Sequence, residues 1–199
     1  MTDGTRRQAR PPRRVTPEYL ENSALYYLQR FATSSANLRR VLMRKVERSS
    51  AAHGTDREEG ARWVDALIER YRRSGLLNDE AYAEAKAASL HRRGTSTRAI
   101  RGKLASKGVG QEQADAAIAS VDAEVEGDLD LAAALAYARR RRIGPYRSRE
   151  RAERRDRDLA ALGRAGFSYD IARRVVDADD PEALGPEALG PESMGNEGC

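Results

Sequence analysis

The stretch Leu38-Arg39-Arg40-Val41-Leu42-Met43-Arg44-Lys45 returns further along the chain as Ile100-Arg101-Gly102-Lys103-Leu104-Ala105-Ser106-Lys107. A shorter and weaker third copy is Leu159-Ala160-Ala161-Leu162-Gly163-Arg164, in which the two leucines stand three positions apart. In each copy the apolar residues stand three or four positions apart, the spacing that places side chains on one face of an α-helix. The recurrence predicts a tandem array of similar helical units.

Further apolar sets at helical spacing flank each copy of the repeat. They are Leu20, Ala24, Leu28 and Phe31, then Val64, Leu67, Ile68 and Tyr71 around the first; Tyr82, Ala85 and Leu90, then Ala114, Ile118 and Val121 around the second; and Leu131, Leu135 and Ala138, then Ile171, Val175 and Val176 around the third. Hydroxyl residues that favour helix N-caps precede several sets: Thr16, the run Thr33-Ser34-Ser35, the run Thr95-Ser96-Thr97, and Ser168. The sequence therefore predicts an all-α fold, an elongated and curved array of three tandem three-helix repeats.

The predicted boundaries follow from these sets and from composition. Repeat 1 covers residues 17–76, repeat 2 covers 77–124 and repeat 3 covers 125–177. A basic arm at 1–16 and an acidic tail at 178–199, with Pro and Gly in every copy of a five-residue repeat, are predicted to be disordered. Residues 49–60 are predicted to form a surface loop inserted into repeat 1, and residues 147–157 a salt-bridged surface helix with a Glu150–Arg154 pair.

Charge is distributed unevenly over the 199 residues, whose formal net charge is +5. Residues 1–14 hold five arginines and one aspartate, whereas residues 177–199 hold seven acids and no base. The region between them is therefore more basic than the whole chain. Of the basic residues, only Lys45, Lys86, Lys103 and Lys107 are lysines.

Several classes of protein are excluded by the same composition. No apolar run approaches the roughly 20 residues that span a bilayer, and the N-terminus lacks the apolar core of a secretory signal. One cysteine, Cys199, and two histidines are too few for an ordinary structural zinc site. No phosphate-binding, dinucleotide-binding or nucleophile motif occurs. We expect a cytoplasmic protein without cofactor, metal or catalytic residues, and not an enzyme.

The most specific pieces of the chain lie in a fixed order. They are Ala24-Leu25-Tyr26-Tyr27-Leu28-Gln29-Arg30-Phe31-Ala32, then Ser74-Gly75-Leu76-Leu77-Asn78-Asp79-Glu80-Ala81-Tyr82-Ala83, then Lys107-Gly108-Val109 and Arg164-Ala165-Gly166-Phe167. Their order and spacing resemble the RecX family of bacterial recombinase regulators over about residues 17–177. Asn37 departs from the family pattern, which has glutamate there, and the arm and tail have no counterpart in it.

The resemblance implies a partner and a mode of action. RecX-like proteins lie in the groove of the RecA–single-stranded DNA filament and mainly inhibit ATP hydrolysis, strand exchange and co-protease activity. It therefore implies protein–protein binding by a monomer, with weak direct contact to single- or double-stranded DNA. A second interpretation stays open: a helical protein that acts directly on DNA, with residues 95–107 as a recognition helix.

The candidate partner-binding residues are basic side chains on the second helices and at the end of the seventh. They are Arg39, Arg40, Arg44, Lys45, Arg98, Arg101, Lys103, Lys107, Arg139, Arg140, Arg141 and Arg142. The alternative is that these charges form solvated helix faces or, for the run at 139–142, a favourable helix C-terminus. The aromatic residues Tyr26, Tyr27, Trp63, Tyr82 and Tyr137 are expected in the core, and His91 on the surface.

Overall fold

The computed structural model of the protein describes residues 12–180 and Leu184. Nine α-helices form within this part: α1 Pro17–Leu28, α2 Ser35–His53, α3 Arg57–Arg73, α4 Asp79–His91, α5 Thr97–Ser106, α6 Gln111–Ala123, α7 Leu129–Arg141, α8 Arg155–Arg164 and α9 Tyr169–Asp177. A short 3₁₀ helix, Gly144–Tyr146, follows α7, and no strand occurs among the described residues. These elements confirm the predicted all-α fold. The predicted disorder of the arm and tail falls mostly outside the described residues.

Serine side chains cap three of the helices, and each lies at or within a predicted cap site. The Oγ atoms of Ser34, Ser96 and Ser168 accept hydrogen bonds from the backbone N–H groups of Asn37, Ala99 and Ile171, at 3.2, 3.3 and 3.3 Å. Thr16 caps α1 in the same way, accepting from Tyr19 N at 3.1 Å, with Pro17 in the first turn. Each cap satisfies an N–H that the helix itself leaves without a partner.

The chain divides into two compact units, Met1–Asp79 and Glu80–Cys199. The first unit has one hydrophobic cluster, in which Leu20, Leu38, Leu42 and Val64 are fully buried. These residues come from the apolar sets of α1, α2 and α3, so the periodicity predicted the face that each helix buries.

The second unit contains two hydrophobic clusters. One surrounds Ile100 and Leu104 of α5, with residues of α4 and α6. The other surrounds Leu162 of α8 and Val175 of α9, with residues of α7. Within this unit, therefore, each second helix supplies the central leucine of its own cluster.

Polar contacts join the two clusters of the second unit. The carboxylate of Asp130 in α7 accepts from the backbone N–H of Thr97 at 2.7 Å and from its hydroxyl at 2.9 Å. The hydroxyl of Ser96 also donates to the carbonyl of Ala165 at 2.8 Å. The N-terminus of α5 is therefore held by residues of both α7 and the end of α8.

Residues 49–60 are not a loop, and that prediction is wrong for most of the segment. Helix α2 continues to His53 and α3 begins at Arg57, which leaves only three connecting residues. Ser49 is buried, where its Oγ accepts from Val15 N at 2.9 Å. Gly60 lies inside α3, and a glycine is needed there because an added Cβ would lie 2.6 Å from Cγ1 of Val46. Small residues that resemble loop composition here serve close helix packing.

This packing makes a matched pair of glycine substitutions informative. Gly60→Ala is expected to destabilise the first unit by about 1–2 kcal/mol, since overpacking against Val46 outweighs the better helix propensity of alanine. Gly102→Ala, in α5 with nothing within 4 Å of the added Cβ, is expected to stabilise the second unit by up to about 1 kcal/mol. Urea unfolding followed by circular dichroism measures both. Stabilisation by Gly60→Ala would contradict the packing argument.

The predicted surface helix at 147–157 is also wrong in extent. Helix α8 begins at Arg155, and Glu150 has a left-handed φ of 56° that interrupts any helix before it. The predicted ion pair nevertheless forms, with Arg154 Nη2 2.6 Å from Glu150 Oε2. Arg151 contributes to the non-helical path, because it donates to the carbonyl of Val176 in the last turn of α9 and to that of Ala178 just after it.

Three side chains differ from their expected burial. Tyr26 and Phe31 are 61% and 54% exposed rather than in the core, because α1 ends at Leu28 and Tyr26 lies away from the Leu20–Ala24 face. His91 is buried rather than on the surface, since its Nε2 lies 3.0 Å from the carbonyl oxygen of Leu129, which satisfies the polar ring. Among residues 12–180, no helix is both long and apolar enough to cross a bilayer.

Candidate functional site

Two of the predicted partner-binding arginines are held by carboxylates of the neighbouring helix. Arg39 of α2 donates to Asp65 of α3 at 2.6 and 3.1 Å, and Arg101 of α5 donates to Asp115 of α6 at 2.6 Å. The two arginines occupy the same position in the first two copies of the repeat. The hydrogen bond that Arg39 donates to Asp65 also raises the pKa of Arg39. Both arginines thus tie a second helix to a third helix.

A hollow of about 760 Å³ lies in the first unit beside α1 and α2. We call it the tyrosine hollow; Tyr19, Tyr26, Tyr27, Arg44, Lys45 and Arg48 line it, with Arg13. Lys45 donates from Nζ to the Tyr19 hydroxyl at 3.3 Å and lies 5.1 Å from its ring centroid. Burial raises the pKa of the Tyr19 hydroxyl, but the hydrogen bond and charge of Lys45 outweigh it, so this pKa lies below its ordinary value.

The second unit has a larger concentration of positive charge, in a cleft of about 750 Å³. We call it the basic cleft; its cations are Lys103, Arg140, Arg141, Arg147, Arg154, Arg157 and Arg164. Each helix presents one face to it, since the lining residues fall at helical spacing: 99 and 103 on α5, 137, 140 and 141 on α7, and 157, 161 and 164 on α8. Positive charge therefore surrounds this space from three sides.

Tyr137 stands among these cations. The guanidinium carbons of Arg140 and Arg141 lie 5.8 and 5.7 Å from its ring centroid, the distance of a cation–π contact. The ring also meets Phe167 edge-on at 6.0 Å. Tyr137 thus joins the hydrophobic cluster to the wall of the cleft and fixes two of its arginines.

Asp158 is the one carboxylate among the described residues that line the basic cleft. Its side chain is 2% exposed, and it accepts from Arg147 at 2.6 and 3.1 Å and from the backbone N–H of Gly144 at 2.9 Å. Burial raises the pKa of this carboxyl, but the hydrogen bonds and charge that lower it together outweigh burial. The hydrogen bonds come from Arg147 and Gly144, and the pKa lies below its ordinary value. Asp158 thus pairs with Arg147, and a second cation of the cleft, Arg154, pairs with Glu150.

The predicted set and the two hollows overlap only in part. The basic cleft brings together Lys103, Arg140 and Arg141, and the tyrosine hollow brings together Arg44 and Lys45. Arg39, Arg40 and Arg44 border a smaller hollow on α2. The five remaining members of the set line none of these hollows: Arg98, Arg101, Lys107, Arg139 and Arg142.

Four cleft cations, Arg147, Arg154, Arg157 and Arg164, were not among the predicted residues. Alternating charge at 147–157 is typical of a solvated helix face, so the arginines of this segment were interpreted as members of a salt-bridged surface helix. The signal that was available is the seven-residue separation of Arg157 and Arg164, which places them on one side of a helix. No group of three or more metal-ligating side chains occurs within the described part of the chain.

Comparison with known proteins identifies the family. Residues 78–118 match the family model described as RecX, second three-helix domain. The regulatory protein RecX of Myxococcus xanthus (strain DK1622) is 49% identical over 170 residues, which are 84% of this chain and 89% of that protein. The chain belongs to the RecX family. The regulatory protein RecX of Agrobacterium fabrum is 35% identical over 184 residues, 91% of this chain and 94% of the relative.

Solved RecX structures agree with the fold. The crystal structure of RecX from Lactobacillus salivarius has a TM-score of 0.56 at 20% identity, covering 80% of this chain and 94% of the other. A second crystal structure of a regulatory protein RecX has a TM-score of 0.59 at 21% identity, covering 81% of this chain and 72% of the other. The tyrosine hollow and the basic cleft are therefore surfaces of a RecX-family regulatory protein.

Proposed function

We propose that this protein binds the RecA–single-stranded DNA filament in its groove and modulates it, mainly by inhibiting ATP hydrolysis, strand exchange and co-protease activity. The observation that carries the proposal is the 49% identity to a regulatory protein RecX over 89% of that protein. In this proposal the chain acts in the cytoplasm as a monomer and carries out no catalysis of its own. Its role is to bind the filament and alter what the recombinase does.

The charged surfaces support such binding. Arg44 on α2 and Arg98 on α5 are exposed, and neither has a carboxylate partner among the described residues. Two exposed aromatic side chains, Tyr26 in the last turn of α1 and Phe31 just after that helix, add the aromatic contacts that protein interfaces favour. In a filament, the three proposed repeats at 17–76, 77–124 and 125–177 each meet similar protomers, and weak contacts then combine through effective concentration.

The direct test is the ATPase of RecA on single-stranded DNA with this protein titrated in. Inhibition is expected at protein concentrations far below those that bind naked DNA, because the proposed contacts are with the assembled recombinase. Strand exchange and repressor cleavage are measured over the same titration. An unchanged ATPase together with tight duplex binding would overturn the proposal and favour the alternative, a protein that acts directly on DNA.

A charge-reversal variant tests the surface. Arg44→Glu with Arg98→Glu is expected to raise the half-inhibitory concentration at least about tenfold, equivalent to about 1.4 kcal/mol of lost binding. The matched control is Arg92→Glu with Arg173→Glu, which changes the net charge equally at exposed positions outside the predicted set. Arg101 is unsuitable for reversal, because a glutamate there would face Asp115. Equal loss in both variants would place the effect in net charge alone.

A further inference from the structure

The basic cleft contains more positive charge than the protein itself uses. Five of its cations have no carboxylate within ion-pairing distance among the described residues: Lys103, Arg140, Arg141, Arg157 and Arg164. Holding like charges on three converging helix faces costs electrostatic free energy, which an anion of matching shape would recover. The arrangement points to an anionic ligand with several charges.

The composition of the cleft suits an anionic group that accepts paired hydrogen bonds, such as a phosphate. Four of the five cations are arginines, whose planar guanidinium groups donate two parallel hydrogen bonds to a phosphate. The cations are distributed over α5, α7 and α8 rather than gathered at one point, so a single phosphate could not contact all of them. A chain of phosphates fits the distribution better.

Tyr137 and its two arginines distinguish a single strand from a duplex. A single strand offers unpaired bases that stack on aromatic rings and guanidinium planes, whereas the bases of a duplex are stacked on one another. Arg140 and Arg141 are already held over the Tyr137 ring, inside the cleft. A volume of about 750 Å³ is also within the range that holds ligands the size of nucleotides.

We propose that the basic cleft binds the phosphate backbone of single-stranded nucleic acid, with an unpaired base stacked beside Tyr137 on Arg140 or Arg141. Lys103, Arg157 and Arg164 contact successive phosphates. This deepens the proposed function, since it assigns part of the cationic surface to the nucleic acid rather than to the recombinase. All residues that line the cleft lie between positions 94 and 165 of this chain. Binding of nucleic acid to the cleft can therefore be measured without the recombinase.

The test is fluorescence anisotropy of a labelled oligothymidylate with the full-length protein and without recombinase. Arg157→Glu with Arg164→Glu is expected to weaken binding at least tenfold. The slope of log affinity against log salt concentration should become shallower by about 1.4, since each lost phosphate contact contributes about 0.7 for a single strand. Both residues are exposed, and circular dichroism verifies that the variant remains folded.

Three controls make the result decisive. Arg92→Glu with Arg173→Glu, of equal charge change outside the cleft, is expected to weaken binding less than threefold. A duplex of the same length is expected to bind more weakly and to respond equally to both double variants. A synthetic peptide of residues 178–199, which is acidic but carries no phosphate, is expected not to displace the oligonucleotide.

Each opposite result overturns the inference. Equal losses in the two double variants would mean that only net charge matters. Preference for the duplex would assign the cleft to double-stranded DNA, and displacement by the peptide would assign it to acidic protein.

If Arg157→Glu/Arg164→Glu were to unfold the protein, Lys103→Glu on α5 provides the same test with a single change. The oligonucleotide assay contains no recombinase, and the RecA ATPase is measured separately. Failure of this inference is therefore distinguishable from failure of the proposed function.

Discussion

Replacing Asp158 with asparagine is expected to lower the free energy of unfolding of the second unit by about 3 kcal/mol, the lower end of the cost of breaking a buried ion pair. The carboxylate accepts three hydrogen bonds in a position where it is 2% exposed, and asparagine cannot neutralise Arg147. Arg147 is 21% exposed and recovers part of its hydration, which limits the loss. Urea unfolding and hydrogen exchange at the Gly144 amide measure the effect.

Asp177→Asn is the matched control for this substitution. Asp177 accepts two hydrogen bonds from Arg155 at 2.7 Å, and these bonds lower its pKa as well. Its side chain is 40% exposed, however, and exposed pairs contribute less than about 1 kcal/mol. Equal losses for the two aspartates would show that burial of Asp158 is not what makes its pair strong.

The pH dependence of this difference has a fixed sign. The pKa of Asp158 is lower in the folded protein than its ordinary value of 3.8, so the unfolded chain binds its proton first. Its contribution is therefore fully present above pH 3.8 and is lost as the pH falls through the lowered pKa of the folded state. The stability difference between the wild-type protein and Asp158→Asn should shrink over that acidic range.

Gly94→Ala is expected to destabilise the second unit by about 3–4 kcal/mol, from left-handed backbone strain plus a steric clash. Gly94 has a φ of +71°, and a Cβ would lie 2.5 Å from the backbone nitrogen of Tyr137 and 2.8 Å from the carbonyl oxygen of Ala133. Those atoms belong to the backbone of α7 and cannot move as a side chain can. The substitution should also weaken oligonucleotide binding, since Gly94 lines the basic cleft.

Gly75→Ala separates the two contributions. Gly75 has nearly the same φ, +74°, but nothing lies within 4 Å of the added Cβ. Only the conformational cost of about 1–2 kcal/mol is expected there. Thermal melting of both variants measures the difference, and similar losses would mean that α7 does not approach Gly94 as closely as described.

The helices of this protein could be predicted from local patterns. The hydroxyl runs at 33–35 and 95–97 were identifiable as cap positions because a capping hydrogen bond reaches only three residues along the chain, and Ser34 and Ser96 form it. Leu42 and Leu104 were identifiable as core residues because one face of each helix is apolar. Such features depend on neighbours within one or two helical turns, and this is the range over which sequence periodicity is informative.

The basic cleft could not be predicted in the same way, because it depends on contacts between distant segments. Arg164 and Lys103 belong to different repeats, and the sequence does not state that α5 and α8 face the same space. The pairing of Arg101 with Asp115 likewise joins two helices, so Arg101 was expected on a partner surface. Gly60 resembled a loop residue for the same reason, since Val46 explains it only once α2 and α3 are packed together.

The hydroxyl of Ser96 has two roles, and this limits how the repeats can be exchanged between relatives. It accepts from Ala99 to begin α5 and donates to Ala165 at the end of α8, while a side chain at position 166 would collide with it. A chimera that takes repeat 2 from another family member must therefore keep Ser96 to match Gly166 of the recipient, and Thr97 to match Asp130. Within residues 80–180, these positions are expected to be inherited as a set, and a gene fusion is better joined before residue 80 than between repeats 2 and 3.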